Sequence, residues 1–315
     1  MNTNDTLRRN FLRGAAGAVL APAAANAIDF DKPAPGSEKL TAYLNGEQVV
    51  VRWNNLSLCT YRAHGSLKYP YFGPVNGPVS GASLTTESAL PYPHHRGLWL
   101  GCEPLNGGDY WADNELAKGQ IRSVGLKLGA ASAKQVEILD RCEWVRAGAA
   151  SPMEDERRFV ITMVDERRWM LDAELTLRAR ETVTITRAKH SFFAIRVAPE
   201  LAPIYGGTLM NSEGGVGAEA AYGKPARWCG YHGKRATHGR PVEGLAVMIH
   251  PGNPWQPCPW FTRDYGHLSP SPFAFSKAPW VLEKGRTVTL RYRVAAHAGT
   301  PGEADLDGLY KAWAG

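Results

Sequence analysis

Leu171-Asp-Ala-Glu-Leu-Thr-Leu-Arg178 alternates apolar and polar residues without a break, so Leu171, Ala173, Leu175 and Leu177 share one face. That is the period of a strand with one buried and one wet face, the pattern of antiparallel sheets. Working outward, Val183-Thr-Ile-Thr186 repeats the period and Val288-Thr-Leu-Arg-Tyr-Arg-Val294 gives it again near the end. Gln48–Trp53, Phe159–Val164, Ala194–Val197 and Leu245–Ile249 add β-branched or apolar runs bounded by turn residues. Helical spacing occurs only in the tail, Ala304 to Trp313, where Leu306, Leu309, Tyr310 and Trp313 fall on one side. Many strands without βαβ alternation predict an all-β fold, a large antiparallel sandwich of two packed sheets with a short C-terminal helix. No internal repeat or linker divides residues 28–315, which read as one domain.

The N-terminus reads as an export signal. Leu7-Arg-Arg-Asn-Phe-Leu-Arg13 resembles a twin-arginine motif, an apolar stretch follows from Ala15 to Ala25, and Ala25-Asn-Ala27 suits cleavage. Residues 1–27 are therefore set aside from the fold, and the expected location is the periplasm, reached through the twin-arginine translocase. No other run reaches the roughly eighteen apolar residues of a membrane helix, so no span is expected in the mature protein. Removing Arg8, Arg9, Arg13 and Asp5 lowers the net charge from +6 to +4. So mild a charge, unclustered, argues against a nucleic-acid partner and is compatible with anionic ligands such as uronic acids. The five cysteines (Cys59, Cys102, Cys142, Cys229 and Cys258) include no Cys-x-x-Cys pair, which argues against a thiolate zinc site. The periplasm would permit a disulfide, and the pairing stays open.

Chemistry-bearing residues gather in two Gly/Pro-punctuated regions. Pro91-Tyr-Pro-His-His-Arg-Gly97 is followed by Asn106-Gly-Gly-Asp-Tyr-Trp111, joining His94, His95, Arg96, Asn106, Asp109 and Trp111. The second region holds Asn211 and Glu213 between glycine pairs, then Trp228, His250, Asn253, Trp260 and Arg263. Each residue alone also fits ordinary loop or core duty, because Asn and Gly make turns and histidines cap strands. Together they predict one pocket. In it His94, His95, Glu213 and His250 are the proton-transferring candidates. Arg96 and Arg263 would bind a carboxylate or a developing negative charge. Trp111, Trp228 and Trp260 would stack on sugar faces, with Asn106, Asp109, Asn211 and Asn253 as polar contacts.

Several of these elements carry a family resemblance. Tyr69-Pro-Tyr with its following Gly-Pro, Pro93-His-His-Arg-Gly-Leu-Trp99, Asn106-Gly-Gly-Asp-Tyr-Trp111, Asn211-Ser-Glu-Gly214, His250-Pro-Gly-Asn-Pro254 and Trp260 with Arg263 look like the bacterial family labelled PmoA-like, a domain of unknown function. The label borrows the name of a methane monooxygenase subunit, an integral membrane copper protein. With no membrane helix in this chain, that chemistry is rejected. The resemblance implies a galactose-mutarotase-like sandwich and, because such genes accompany sugar-degrading ones, carbohydrate chemistry by analogy.

Three functions stay open. The first is a carbohydrate-active lyase, hydrolase or epimerase that acts on a sugar, glycoside or oxidised sugar by general acid/base chemistry, with no cofactor. The second is a metal-dependent version with ligands drawn from His94, His95, Asp109 and His250. Adjacent strand residues point to opposite faces, so that version needs a bent backbone at the doublet. The third is a non-catalytic sugar-binding sandwich.

Overall fold

The computed structural model describes residues 39–112 and 115–315. The expected signal at 1–27, with the start of the domain at 28, lies outside the described residues.

Leu171, Ala173, Leu175 and Leu177 are all buried on the strand Arg168–Ala179, and the polar residues between them reach solvent to varying degrees. This strand sits between Ala149–Asp165 and Thr287–Ala298, with Leu171 opposite Val294 and Leu177 opposite Val288. It belongs to a nine-stranded antiparallel sheet, called here the second sheet. In spatial order its main path runs Thr208–Asn211, Trp228–Lys234, Val242–Ile249, Thr287–Ala298, Arg168–Ala179, Ala149–Asp165, Gln135–Arg146 and Gln120–Ser123. The first sheet has eight strands: Leu40–Asn45, Gln48–Trp53, Leu56–Arg62, Tyr71–Val75, Leu98–Glu103, His190–Arg196, His267–Pro270 and Trp260–Thr262. A two-stranded ribbon pairs Val183–Ile185 with Trp280–Leu282.

The sheets meet face to face. Phe72 of the first meets Phe159 of the second edge-on at 4.9 Å, and Phe193 stacks on Tyr292 at 4.5 Å. A polar network crosses the same interior. Tyr61 Oη donates to Asp140 Oδ2 at 2.8 Å, and Arg157 Nε donates to Asp155 Oδ1 at 2.6 Å. Trp144 Nε1 also donates to Asp155. Burial, opposed by the Arg157 charge, pushes the Asp140 carboxyl upward. A half-satisfied network of this kind would cost more than apolar packing, and this one is closed by hydrogen bonds.

The tail forms the helix Leu306–Ala314, capped by Asp305 through Gly308 N. Leu306 is buried against Trp228, Met248 and Ala295, and Leu309, Tyr310 and Trp313 pack partly buried beside it. All five cysteines are buried and free, so none forms a disulfide. No helix among the described residues is long and apolar enough to cross a membrane.

Candidate active site

Strand pleating selects the residues that face away from the core. Leu98 stands opposite inward-facing Phe72, so Trp99, Gly101 and Glu103 project from the outer face of the first sheet. On the next strand His190 stands opposite Glu103 and Ala194 opposite Trp99, and Arg196 stands opposite His267 one strand further on. Three strands thus bring together groups that lie far apart in the chain.

Loop residues complete the face. Asp109 Oδ1 accepts from Trp111 N at 2.9 Å and from Ala112 N at 2.8 Å, a side-chain turn that fixes the start of this loop. The Trp111 indole then lies flat over His190, with centroids 5.2 Å apart and planes 13° apart. Gly101 makes room for it. A Cβ there would come within 2.6 Å of Tyr110 O and 3.3 Å of the Trp111 ring.

His190 Nδ1 lies 2.8 Å from Glu103 Oε2. That hydrogen bond holds the Glu103 carboxyl below its usual range against the upward push of burial, and nearby Lys189 adds to the lowering. An ionised carboxylate only accepts, so Nδ1 is assigned as the donor, and in the neutral ring it is Nε2 that carries the lone pair. Beside the pair opens a cleft of about 490 Å³ lined by Glu103, Arg187, Lys189, Tyr222, Phe261 and Arg263, among others. The Arg263 guanidinium lies 4.0 Å from the Phe261 ring centre and 5.0 Å from that of Tyr222.

Beneath this pair the rings continue inward. His267 stacks on His95 at 4.6 Å, and His95 stacks on Trp99 at 5.4 Å and on Tyr92 at 5.2 Å. Burial first, then the charges of His94, Arg196 and His190, pushes His95 down to about 2. His267 is driven well below its ordinary value, again by burial first. Both rings are therefore neutral at neutral pH. Trp99 Nε1, Trp111 Nε1 and His267 Nδ1 are buried without a hydrogen-bond partner among the described residues, although buried polar atoms normally find one.

The structure brings together only part of the expected pocket. His94, His95, Trp111 and Arg263 belong to this ring system or its cleft, and Asp109 shapes the turn that carries Trp111. Arg96 lies on the same side, 6.0 Å from the Tyr71 ring centre. The other candidates lie elsewhere. Asn106 bonds the backbone of Thr182 and Thr184, docking its loop on the ribbon. Trp260 is fully buried and donates to Ala226 O. Asn211 Oδ1 accepts from Glu213 N and Gly215 N, closing a turn. Trp228 Nε1 donates to Asp307 of the tail helix, and Asn253 bonds both backbone groups of Arg291. Glu213 is exposed beside Arg227, and His250 packs edge-on against Trp313. Burial, with Arg291 close by, lowers His250. Asn211, Glu213, Trp228, His250 and Asn253 sit on the second sheet and around its tail helix, so the single pocket expected from sequence resolves into separate groups.

The metal ligand set is corrected for the same reason. His250 does not join His94, His95 and Asp109. Among the described residues no group of three or more His, Cys, Asp or Glu side chains is placed to hold a metal ion.

Residues that the sequence reading passed over carry the site: Glu103, His190, Arg196 and His267, with Lys189 and Arg187 at the cleft. Their signal lies in strand parity combined with cross-strand pairing. A larger trough of about 580 Å³ lies on the outer face of the second sheet, lined by Arg141, Glu156, Arg158 and Glu174 among others. It is occupied with its own ion pairs, Arg158 with Glu137 and Glu174 with Arg291, and holds no histidine.

Fold and site together define an all-β two-sheet protein whose outer face presents a histidine–carboxylate pair in an aromatic, cationic cleft. The model of the family of unknown function DUF6807 matches residues 48–311, and the chain belongs to that family. No curated protein matches the chain. Among solved structures, a galactose 1-epimerase from Lactobacillus acidophilus NCFM is similar at 8% identity, TM-score 0.38, covering 83% of this chain and 98% of that one. A polysaccharide lyase is similar at 13% identity, TM-score 0.30, covering 84% and 33%. A galactose mutarotase related enzyme from Lactobacillus acidophilus is similar at 8% identity, TM-score 0.32, covering 83% and 98%. No chemistry is drawn from likenesses this distant.

Proposed function

We propose that the protein is a carbohydrate-active enzyme that moves a proton on its substrate, with His190 as the proton-transferring side chain. The observation that carries this reading is the 2.8 Å contact between His190 Nδ1 and Glu103 beside a cleft of about 490 Å³. The carboxylate fixes the tautomer, and Nε2 is left as the base. Trp111 fixes the ring plane from one side. Tyr222, exposed at the cleft, offers an aromatic surface against which a sugar ring can pack, and Phe261 lies buried behind it. Glu103 is the carboxylate among the described residues lining the cleft, and it is already engaged by His190. Hydrolysis by a pair of carboxylates needs a second acid across the bond, so the reading favours a lyase or epimerase.

The test is NMR in D2O with a panel of neutral sugars, glycosides and uronic acids. The wild type should exchange anomers, introduce deuterium or form product with at least one member. His190→Ala should abolish this, and Glu103→Gln should lower kcat by roughly 10²-fold. Turnover undiminished in His190→Ala would overturn the assignment. Binding without turnover across the panel would favour a sugar-binding module.

We also propose periplasmic action after export through the Arg8-Arg9 signal. Unchanged delivery of a variant carrying Arg8→Lys with Arg9→Lys would rule that route out.

A further inference from the structure

We propose that the substrate is an anionic sugar whose acidic group is received by Arg263, Lys189 and Arg187 at the cleft. This rests on the acid–base reading of His190 and extends it to substrate class.

The charge inventory comes first. Arg187, Lys189 and Arg263 line the cleft with a single carboxylate, Glu103, which is held by His190. None of the three cations forms an ion pair among the described residues. On the far side of the molecule, several of the arginines bordering the large troughs are matched by carboxylates, Arg141 being an exception. Arg158 is paired with Glu137, Arg178 and Arg180 with Glu154, and Arg291 with Glu174. The cleft therefore keeps an excess of positive charge that the fold does not neutralise, and a concave wall focuses that field on a bound anion.

Geometry then gives Arg263 a fixed aim. Its guanidinium rests over Phe261 and beside Tyr222, and Nη1 donates to Thr262 O, so the fork is held in place before a ligand arrives. A planar guanidinium stacked in this way is suited to a planar or tetrahedral oxyanion.

Arg196 supplies an independent observation. It is 5% exposed, and among the described residues it forms no ion pair and its Nε has no hydrogen-bond partner. Its charge faces His95 Nδ1 at 3.3 Å and the Tyr265 ring at 4.5 Å. A buried cation without a counter-charge is costly, and folds normally supply an acid. Arg196 and Arg263 both act electrostatically on His267. Within the cleft itself Arg187, Lys189 and Arg263 lack a counter-charge among the described residues, and an anionic ligand would supply it.

The experiment is titration monitored by tryptophan fluorescence, with glucuronate and galacturonate, their neutral parents glucose and galactose, and glucose 6-phosphate. At least one anionic sugar should bind about tenfold more tightly than its neutral parent, with the advantage shrinking as salt rises. A uronate preference identifies a carboxylate, and a preference for the phosphate ester identifies a phosphoryl group. Lys189→Gln, at an exposed position, and Arg263→Gln should each cut the anionic-to-neutral affinity ratio several-fold. Equal affinity for charged and neutral sugars, no binding of any anionic sugar, or an unchanged ratio in both variants overturns the inference. The two proposals fail separately. Neutral-sugar turnover that needs His190 but shows no anion preference overturns only this one. Anion preference with turnover intact in His190→Ala overturns only the acid–base reading.

Discussion

His95 has the surroundings of a core residue. It is 3% exposed and enclosed by Trp99, Tyr92 and His267, and it faces the Arg196 guanidinium through Nδ1. A ring whose protonated form is suppressed this strongly is a poor acid near neutral pH, and its removal opens a cavity under the sheet. His95→Ala is expected to cost about 2–4 kcal/mol and to lower Tm by roughly 5–10 °C, measured by thermal unfolding. Lost turnover with an unchanged Tm would instead make His95 catalytic. The doublet His94-His95 drew attention in the sequence because two imidazoles adjoin. His190 and His267 stand singly among ordinary strand residues, and the partner that gives His190 its meaning, Glu103, is 87 positions away. Only the cross-strand register of His190 with Glu103 joins them. A one-dimensional reading of spacing could not supply that register, although Trp111 and Arg263 were legible.

At the scale of elements, legibility followed the regularity of the buried face. Arg168–Ala179 was visible because its inward positions, Trp169, Leu171, Ala173, Leu175, Leu177 and Ala179, are all apolar. Gln135–Arg146 escaped because its inward series, Val136, Ile138, Asp140, Cys142 and Trp144, is interrupted by a carboxylate. That carboxylate is buried because Tyr61 and Ser123 satisfy it from other strands, a fact of tertiary pairing. The tail helix was legible for the opposite reason. Leu306, Leu309, Tyr310 and Trp313 form a stripe that needs no distant partner to be recognised, and they pack on the second sheet as that stripe requires. The Gly-rich segment 106–111 is irregular chain, and its two polar residues divide their work. Asn106 ties the loop to the ribbon at Thr182 and Thr184, and Asp109 makes the turn that holds Trp111. Gly101 belongs to the same arrangement, because the strand can carry Trp111 across its face only where it has no side chain.

For the whole molecule, the decisive property is how many histidines the fold keeps neutral. His95 is pushed to about 2, His267 well below its ordinary value and His297 to about 4, in each case by burial first. The groups facing them reinforce the effect: His94, His190, Arg196 and Arg263 around the first two, and His232 beside His297, with only Gly299 O pulling His297 the other way. The sign follows directly. In the unfolded chain each ring protonates near 6.5, and in the folded chain it does so only at much lower pH. Stability is therefore complete above about pH 6.5 and declines as pH falls below it. Each ring removes up to about 1.4 kcal/mol per pH unit in that window, so each loses about 2 kcal/mol and three together roughly 6 kcal/mol by about pH 5. Glu103 and Asp165, held below their usual range, lose their contribution only at lower pH, below the ordinary carboxylate range. Asp140, pushed upward by burial, opposes the trend only in part. Urea unfolding at about pH 7.5 and about pH 5 should show this loss before carboxylates titrate. His297→Gln should start from a lower stability but lose less between the two values, because one of the three rings no longer titrates. A stability that stays flat between them would mean that these rings accept protons inside the fold.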